Sequence, residues 1–133
     1  MQDWTLNIAE VVEEVRVLFE RYEQALIDKD VDVLDATFWN SPHTLRFGLD
    51  ENGYGFDEIH AHRERRPLGL GTKASRIRLE ILTVGYDFAT VNLEFVVRGK
   101  DLNGRQSQTW LRLPEHGWKV VSAHVSAVKL RDA

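Results

Sequence analysis

An arginine set between two apolar residues, Leu45-Arg46-Phe47, is the residue best suited to chemistry on an anion. A guanidinium presents a rigid planar fork that holds a carboxylate through two parallel hydrogen bonds. Simple strand alternation puts Leu45 and Phe47 inside and Arg46 in water. A sheet buried on both faces, as in an oligomer, would let Arg46 face an interior anion instead, so both readings stay open. Tyr22 is the second candidate. It lies four residues after Leu18 and four before Leu26, on one helical stripe. A buried phenol needs a partner for its hydroxyl. A backbone carbonyl serves a purely structural tyrosine, and a ligand serves a proton or hydrogen-bond donor.

Other residues carry weaker signals. Arg63, Arg65 and Arg66 cluster before Pro67. Cations there complement a helix C-terminus, or they form a rim that attracts an anion. Gln106, Gln108, Trp110 and Arg112 share one face of a strand, which then lines either a pocket or a subunit interface. His124 stands alone on the last strand, as a bonded structural residue or a general base. His60 and His62 are two apart, which on a helix points them away from each other, so no metal site is expected. The sequence has no Gly-x-Ser-x-Gly elbow, phosphate loop or dinucleotide fingerprint, so no cofactor is expected.

The elements that must hold these residues follow from periodicity. Ile8, Val11, Val12, Val15, Leu18, Phe19, Tyr22, Ala25 and Leu26 recur at helical spacing, and Asn7 with Glu10 fits a capping box. Asp28-Lys29-Asp30 breaks that helix. A short second helix runs from Val31 towards Trp39 and stops at Ser41-Pro42. Residues 44–49 and 54–56 form a hairpin around Asp50-Glu51-Asn52-Gly53. Asp57 caps a third helix to about Arg65, ended by Pro67 and a Gly-rich loop at 68–72. Four strands follow near 75–85, 88–98, 105–113 and 118–129, with Asn103-Gly104 and Glu115-His116-Gly117 as turns. Helices followed by a meander of long strands make an α+β fold. About three N-terminal helices packed on a strongly curved antiparallel sheet form a cone with a pocket at its open end, a shape like that of the nuclear-transport-factor-2-like (NTF2-like, SnoaL-like) superfamily.

One domain is expected, spanning residues 1–133. Net charge is −4 and the charges are mixed along the chain, which argues against nucleic acid as a partner. There is no cysteine, no basic and apolar leader, and no membrane-length apolar run, so the expected location is cytoplasmic.

Five stretches resemble AtzH-like proteins, a SnoaL-like branch of that superfamily: 19–26 (Phe-Glu-Arg-Tyr-Glu-Gln-Ala-Leu), 38–48 (Phe-Trp-Asn-Ser-Pro-His-Thr-Leu-Arg-Phe-Gly), 54–59, 63–67 and 104–110. The closing 117–126 stretch matches too, although its Trp and His pattern is shared more widely. The resemblance spans nearly the whole chain. It implies a metal-independent decarboxylating amidohydrolase, a hydrolase of carbon–nitrogen bonds that converts 1,3-dicarboxyurea to allophanate in cyanuric acid catabolism. Under it, Arg46 clamps a substrate carboxylate and Tyr22 donates a proton or hydrogen bond. Gln108, Arg66, Trp39 and His124 are then candidates for positioning the substrate. The alternatives are a non-catalytic oligomeric binding module and an isomerase-type proton-transfer enzyme. The isomerase needs an interior carboxylate, for which Glu94 is the strand candidate. A homo-oligomer, dimer or tetramer, is expected because the face bearing Gln, Trp and Arg would otherwise sit in water.

Overall fold

The computed structural model describes residues 3–66, 75–97, 99 and 101–129. Its elements run α1 (Ala9–Asp28), α2 (Val31–Thr37), β1 (Leu45–Phe47), β2 (Asn52–Tyr54), α3 (Phe56–Arg65), β3 (Arg76–Val84), β4 (Phe88–Val97), β5 (Leu102–Leu113) and β6 (Gly117–Lys129). The expected stop at Pro67 and the Gly-rich loop lie outside the described residues. Among the described residues no helix is long and apolar enough to cross a membrane.

The six strands form one curved, unclosed sheet in the order β2-β1-β6-β5-β4-β3, with the three helices packed on it. The cone is therefore as expected, with one correction: β1 pairs with β6 in parallel, so the sheet is mixed. Alternation along a strand reports which face is buried, not which neighbour it meets. Nothing in residues 44–49 could reveal this pairing.

The apolar stripe of α1 buries Val11, Val15, Phe19, Tyr22 and Ala25 against the concave face. There they meet Val91 and Leu93 of β4, Trp110 of β5 and Val120 of β6 in one core. Lys29 ends α1 in the left-handed conformation, its N–H bonded to the Ala25 carbonyl, and Asp30 caps α2 by accepting from the Val33 N–H. Asn7 does not cap α1. Its backbone and its side-chain oxygen bond Thr83 of β3 instead, which ties the entering chain to the sheet edge.

The expected turn at Asn103-Gly104 is also corrected. Both residues lie inside β5, with Gly104 opposite Phe95 of β4. A Cβ on Gly104 would sit 2.3 Å from two carbons of the Phe95 ring, so the glycine makes room for the ring rather than for a turn. Gly104→Ala should therefore lower stability by roughly 1–3 kcal/mol through overpacking. Urea denaturation measures this, and Phe95→Leu in the same chain should recover part of the loss.

Candidate functional site

Arg46 faces the interior. It is 7% exposed, and on β1 it is Arg46, not Leu45 or Phe47, that lies on the buried face. The inversion has a physical cause. Phe47, turned outward, is covered by the rings of Tyr54 and His124 in edge-to-face contacts. On the inner side α3 packs closely: a Cβ on Gly53, the register partner of Arg46, would lie 2.8 Å from Ile59.

Register places Arg46, Ala123, Gln108 and Val91 in one row across β1, β6, β5 and β4. Neighbouring strands are ~4.8 Å apart, so the backbones at Arg46 and Gln108 are roughly 10 Å apart with only the Ala123 methyl between. Gln108 is buried, its Oε1 accepts from the Trp110 indole N–H at 3.0 Å, and its Nε2 has no partner among the described residues. Gln106, two residues earlier on the same face, also has an unpaired buried Nε2. Arg112 leaves this face and pairs with Asp87 at the surface. The face is therefore the helix-covered one, buried within a single chain, and it gives no reason to expect a second subunit.

Tyr22 comes from α1. It is 1% exposed, with its ring 5.8 Å from that of Phe38, and its hydroxyl makes no hydrogen bond among the described residues. On the same Phe38 ring lies the Arg63 guanidinium, 4.2 Å from the centroid. Arg63 sits four residues after Ile59 and so shares the buried face of α3. Burial pushes its pKa below the usual arginine value. The Tyr22 phenol works against that shift, Arg46 adds to it, and Asp35 also favours the charged form. Asp35 accepts from Arg63 Nη1 at 3.0 Å and holds His60 Nδ1 at 2.5 Å through its other oxygen, which raises the His60 pKa. Arg63 Nε and Nη2 are buried with no partner among the described residues.

The third feature is Glu51, at the edge of the hairpin turn. Arg46 Nη1 lies 3.3 Å from its Oε1, Arg66 bonds the same oxygen, and His62 Nδ1 is 3.4 Å from Oε2. Burial alone would raise the Glu51 pKa, but Arg66 above all, with His62 and Arg46, outweighs it and holds the carboxyl below its usual value. The expected basic cluster thus divides. Arg63 enters the core, Arg66 grips Glu51, and Arg65 lies against the His62 ring at the surface.

Two expected residues fall outside this site. His124 is exposed on the outer face of β6, because its neighbour Ala123 takes the inward position. Trp39 alternates with the inward Phe38 and stacks on His43 instead. A separate cleft of about 270 Å³ includes Leu18, Arg21, Trp110 and Trp118 in its lining and shares no residue with the Tyr22, Arg46, Arg63 and Glu51 group. The sequence reading missed Glu51, Asp35 and Phe38. The Ile59–Arg63 spacing could have marked Arg63 as buried.

Leaving a buried donor unmade costs about 1–3 kcal/mol. At Gln106, Gln108 and Arg63 every unpaired atom is an N–H donor. These three residues thus leave donors over in the interior, and Arg46 and Arg66 already grip one carboxylate.

Glu51→Gln should cost on the order of 1 kcal/mol at pH 7. Because the folded pKa of Glu51 is depressed, its contribution is present above the unfolded value near 4.5 and is lost as pH falls through the lower folded value. Denaturation at pH 7 and pH 4 should show a smaller gap between the variant and the parent at pH 4. A gap that widens in acid would contradict the ion-pair assignment.

Comparison with known proteins agrees with this architecture. A family model described as AtzH-like matches residues 4–130. A cystatin-like fold protein from Burkholderia xenovorans is 40% identical, with a TM-score of 0.88 over 96% of this chain and 99% of that one. A protein of unknown function from Pectobacterium atrosepticum is 43% identical, with a TM-score of 0.87 over 93% of this chain and 95% of that one. A putative ketosteroid isomerase from Parabacteroides distasonis, 19% identical with a TM-score of 0.67 over 97% and 96% of the two chains, shares the fold. No curated protein matches the chain. With the family model covering nearly the whole length and the fold that of the NTF2-like superfamily, this chain belongs to the AtzH-like family.

Proposed function

We propose that this chain is a cofactor-free decarboxylating amidohydrolase that converts 1,3-dicarboxyurea to allophanate, a step of cyanuric acid catabolism in the cytoplasm. The observation that carries this reading is the convergence of Arg46 and Arg66 on one carboxylate oxygen, beside a core in which Arg63, Gln106 and Gln108 keep unpaired donors. The two guanidiniums that hold Glu51 are the groups that would hold a substrate carboxylate.

Loss of carbon dioxide breaks the bond between a carboxylate carbon and a urea nitrogen. The electron pair stays on nitrogen, conjugated with the urea carbonyl, and takes a proton to give the amide of allophanate. Attack by water on the same carbon gives allophanate and bicarbonate with the same protein groups. In either route negative charge grows on the urea. A donor aimed at it in a water-poor core is worth roughly 3–4 kcal/mol. Tyr22 supplies that donor and regains its proton from water, with the Arg63 guanidinium beside it on the same Phe38 ring. Arg46, anchored on the strand, fixes the substrate so that the scissile bond meets the phenol.

The isomerase alternative loses its strand candidate. Glu94 lies on the outer face of β4, part-exposed, and accepts from Asn103 Nδ2 at 3.0 Å. A homo-oligomer is proposed, with the outer sheet face, where Leu82 and Phe88 are exposed, as one surface it could use. Light scattering at micromolar concentration tests that.

Tyr22→Phe should lower turnover of 1,3-dicarboxyurea at least 100-fold and leave the affinity for an inert dicarboxylate within about 3-fold of the parent. Arg46→Ala should lose both. A Tyr22→Phe enzyme with normal turnover would remove Tyr22 from the chemistry and favour a binding module.

A further inference from the structure

We propose that Trp110, acting through Gln108, makes the site select a hydrogen-bond acceptor at the ligand end away from Arg46, and so distinguishes the dicarboxylated substrate from its product. This rests on the reading of the site as a ureido-carboxylate pocket. The two ends of a glutamine amide have nearly the same shape and opposite hydrogen-bonding character, so rotating the amide by half a turn exchanges a donor for an acceptor. The indole N–H can only donate. Trp110 is fully buried and its Nε1 is 3.0 Å from Gln108 Oε1, two positions away on the same inward face of β5. In the flipped amide, Nε2 would face the indole donor and both would be unpaired. The flanking residues in the row, Val91 and Ala123, carry no polar side chain that could compensate.

The indole therefore fixes Gln108 with both Nε2 hydrogens offered to the interior, where they have no partner among the described residues. Gln106 Nε2 stands unpaired on the same face. This end of the site consists of neutral donors, and Arg46 at the other end is a charged one. A carboxylate on Arg46 is held by charge-assisted bonds, about twice as strong as those of neutral donors. The carboxylate facing Gln108 is the less stabilised of the two and is the one that leaves as carbon dioxide. Its loss converts an acceptor end into an amide NH₂, which faces the Gln108 donors and cannot bond them. Trp110 is thus a positioning residue for specificity and product release, and does not itself touch the substrate.

The test uses two inert probes. Glutarate separates its carboxylates by three atoms, as 1,3-dicarboxyurea does, and glutaramate carries one carboxamide instead, whose neutral oxygen is a weaker acceptor than a carboxylate. Calorimetry on the parent should show glutarate binding at least 10-fold more tightly. Trp110→Phe keeps a ring in the core and loses the N–H, and discrimination should fall to about 2-fold. In ¹⁵N-correlated spectra the Gln108 side-chain amide signal should move in that variant. Gln108→Glu, which offers an acceptor without altering Trp110, should reverse the preference towards glutaramate and serves if Trp110→Phe does not fold. Unchanged discrimination in a folded Trp110→Phe, or in Gln108→Glu, overturns the role of the indole while leaving the anion site intact. A parent that binds neither probe overturns the anion-site reading as well.

Discussion

A buried guanidinium must be answered by acceptors, and this molecule places two, Arg46 and Arg63, in one core. Desolvating such a charge is tolerable only where ion pairs and hydrogen bonds replace water. Each arginine is given one carboxylate: Glu51 for Arg46 and Asp35 for Arg63. That is too little to satisfy them, since Arg63 keeps two unpaired nitrogens and the amides of Gln106 and Gln108 add more donors. The rest of the site arranges itself around this excess of donors. Phe38 supports the Arg63 plane from one side and the Tyr22 ring from another, so a phenol is brought to the arginines without an acceptor among the described residues.

The fold supplies this arrangement from separate elements. The long α1 brings Tyr22 down onto the sheet, and α3 carries Arg63 over the β1–β2 hairpin. The parallel seam between β1 and β6 sets Arg46 in the same row as Gln108, with Ala123 as the low point between them. Had β1 paired elsewhere, the charged fork and the neutral amides would not share one row. Asp35, on α2, links α2 to α3 through both His60 and Arg63, so the short helix acts as a brace for the buried arginine.

Much of this was legible in the residues, in proportion to how local its cause is. The stripe from Val11 to Leu26 follows the helical period, and the long strands are marked by their β-branched and aromatic residues and by their turns. Tyr22 could be placed on the core side by spacing alone. The orientation of Arg46 could not, because it depends on Phe47 finding aromatic cover from Tyr54 and His124, residues distant in sequence or across a turn. Glu51 sits in what reads as an ordinary turn, and only the approach of Arg66 makes it a site residue. Asn103-Gly104 has the composition of a hairpin, yet Gly104 answers to the Phe95 ring on the next strand. Local pattern identified the elements, and tertiary packing decided which face each polar residue took.

On the function proposed for it, this donor-rich core removes one carboxylate from a dicarboxylated urea. The most direct test is to add purified protein to freshly generated 1,3-dicarboxyurea and follow allophanate and carbon dioxide against the spontaneous reaction. One carbon dioxide or bicarbonate should be released for each allophanate formed, at a rate proportional to the protein. Decay no faster than in buffer would contradict it and leave a binding protein for small dicarboxylates.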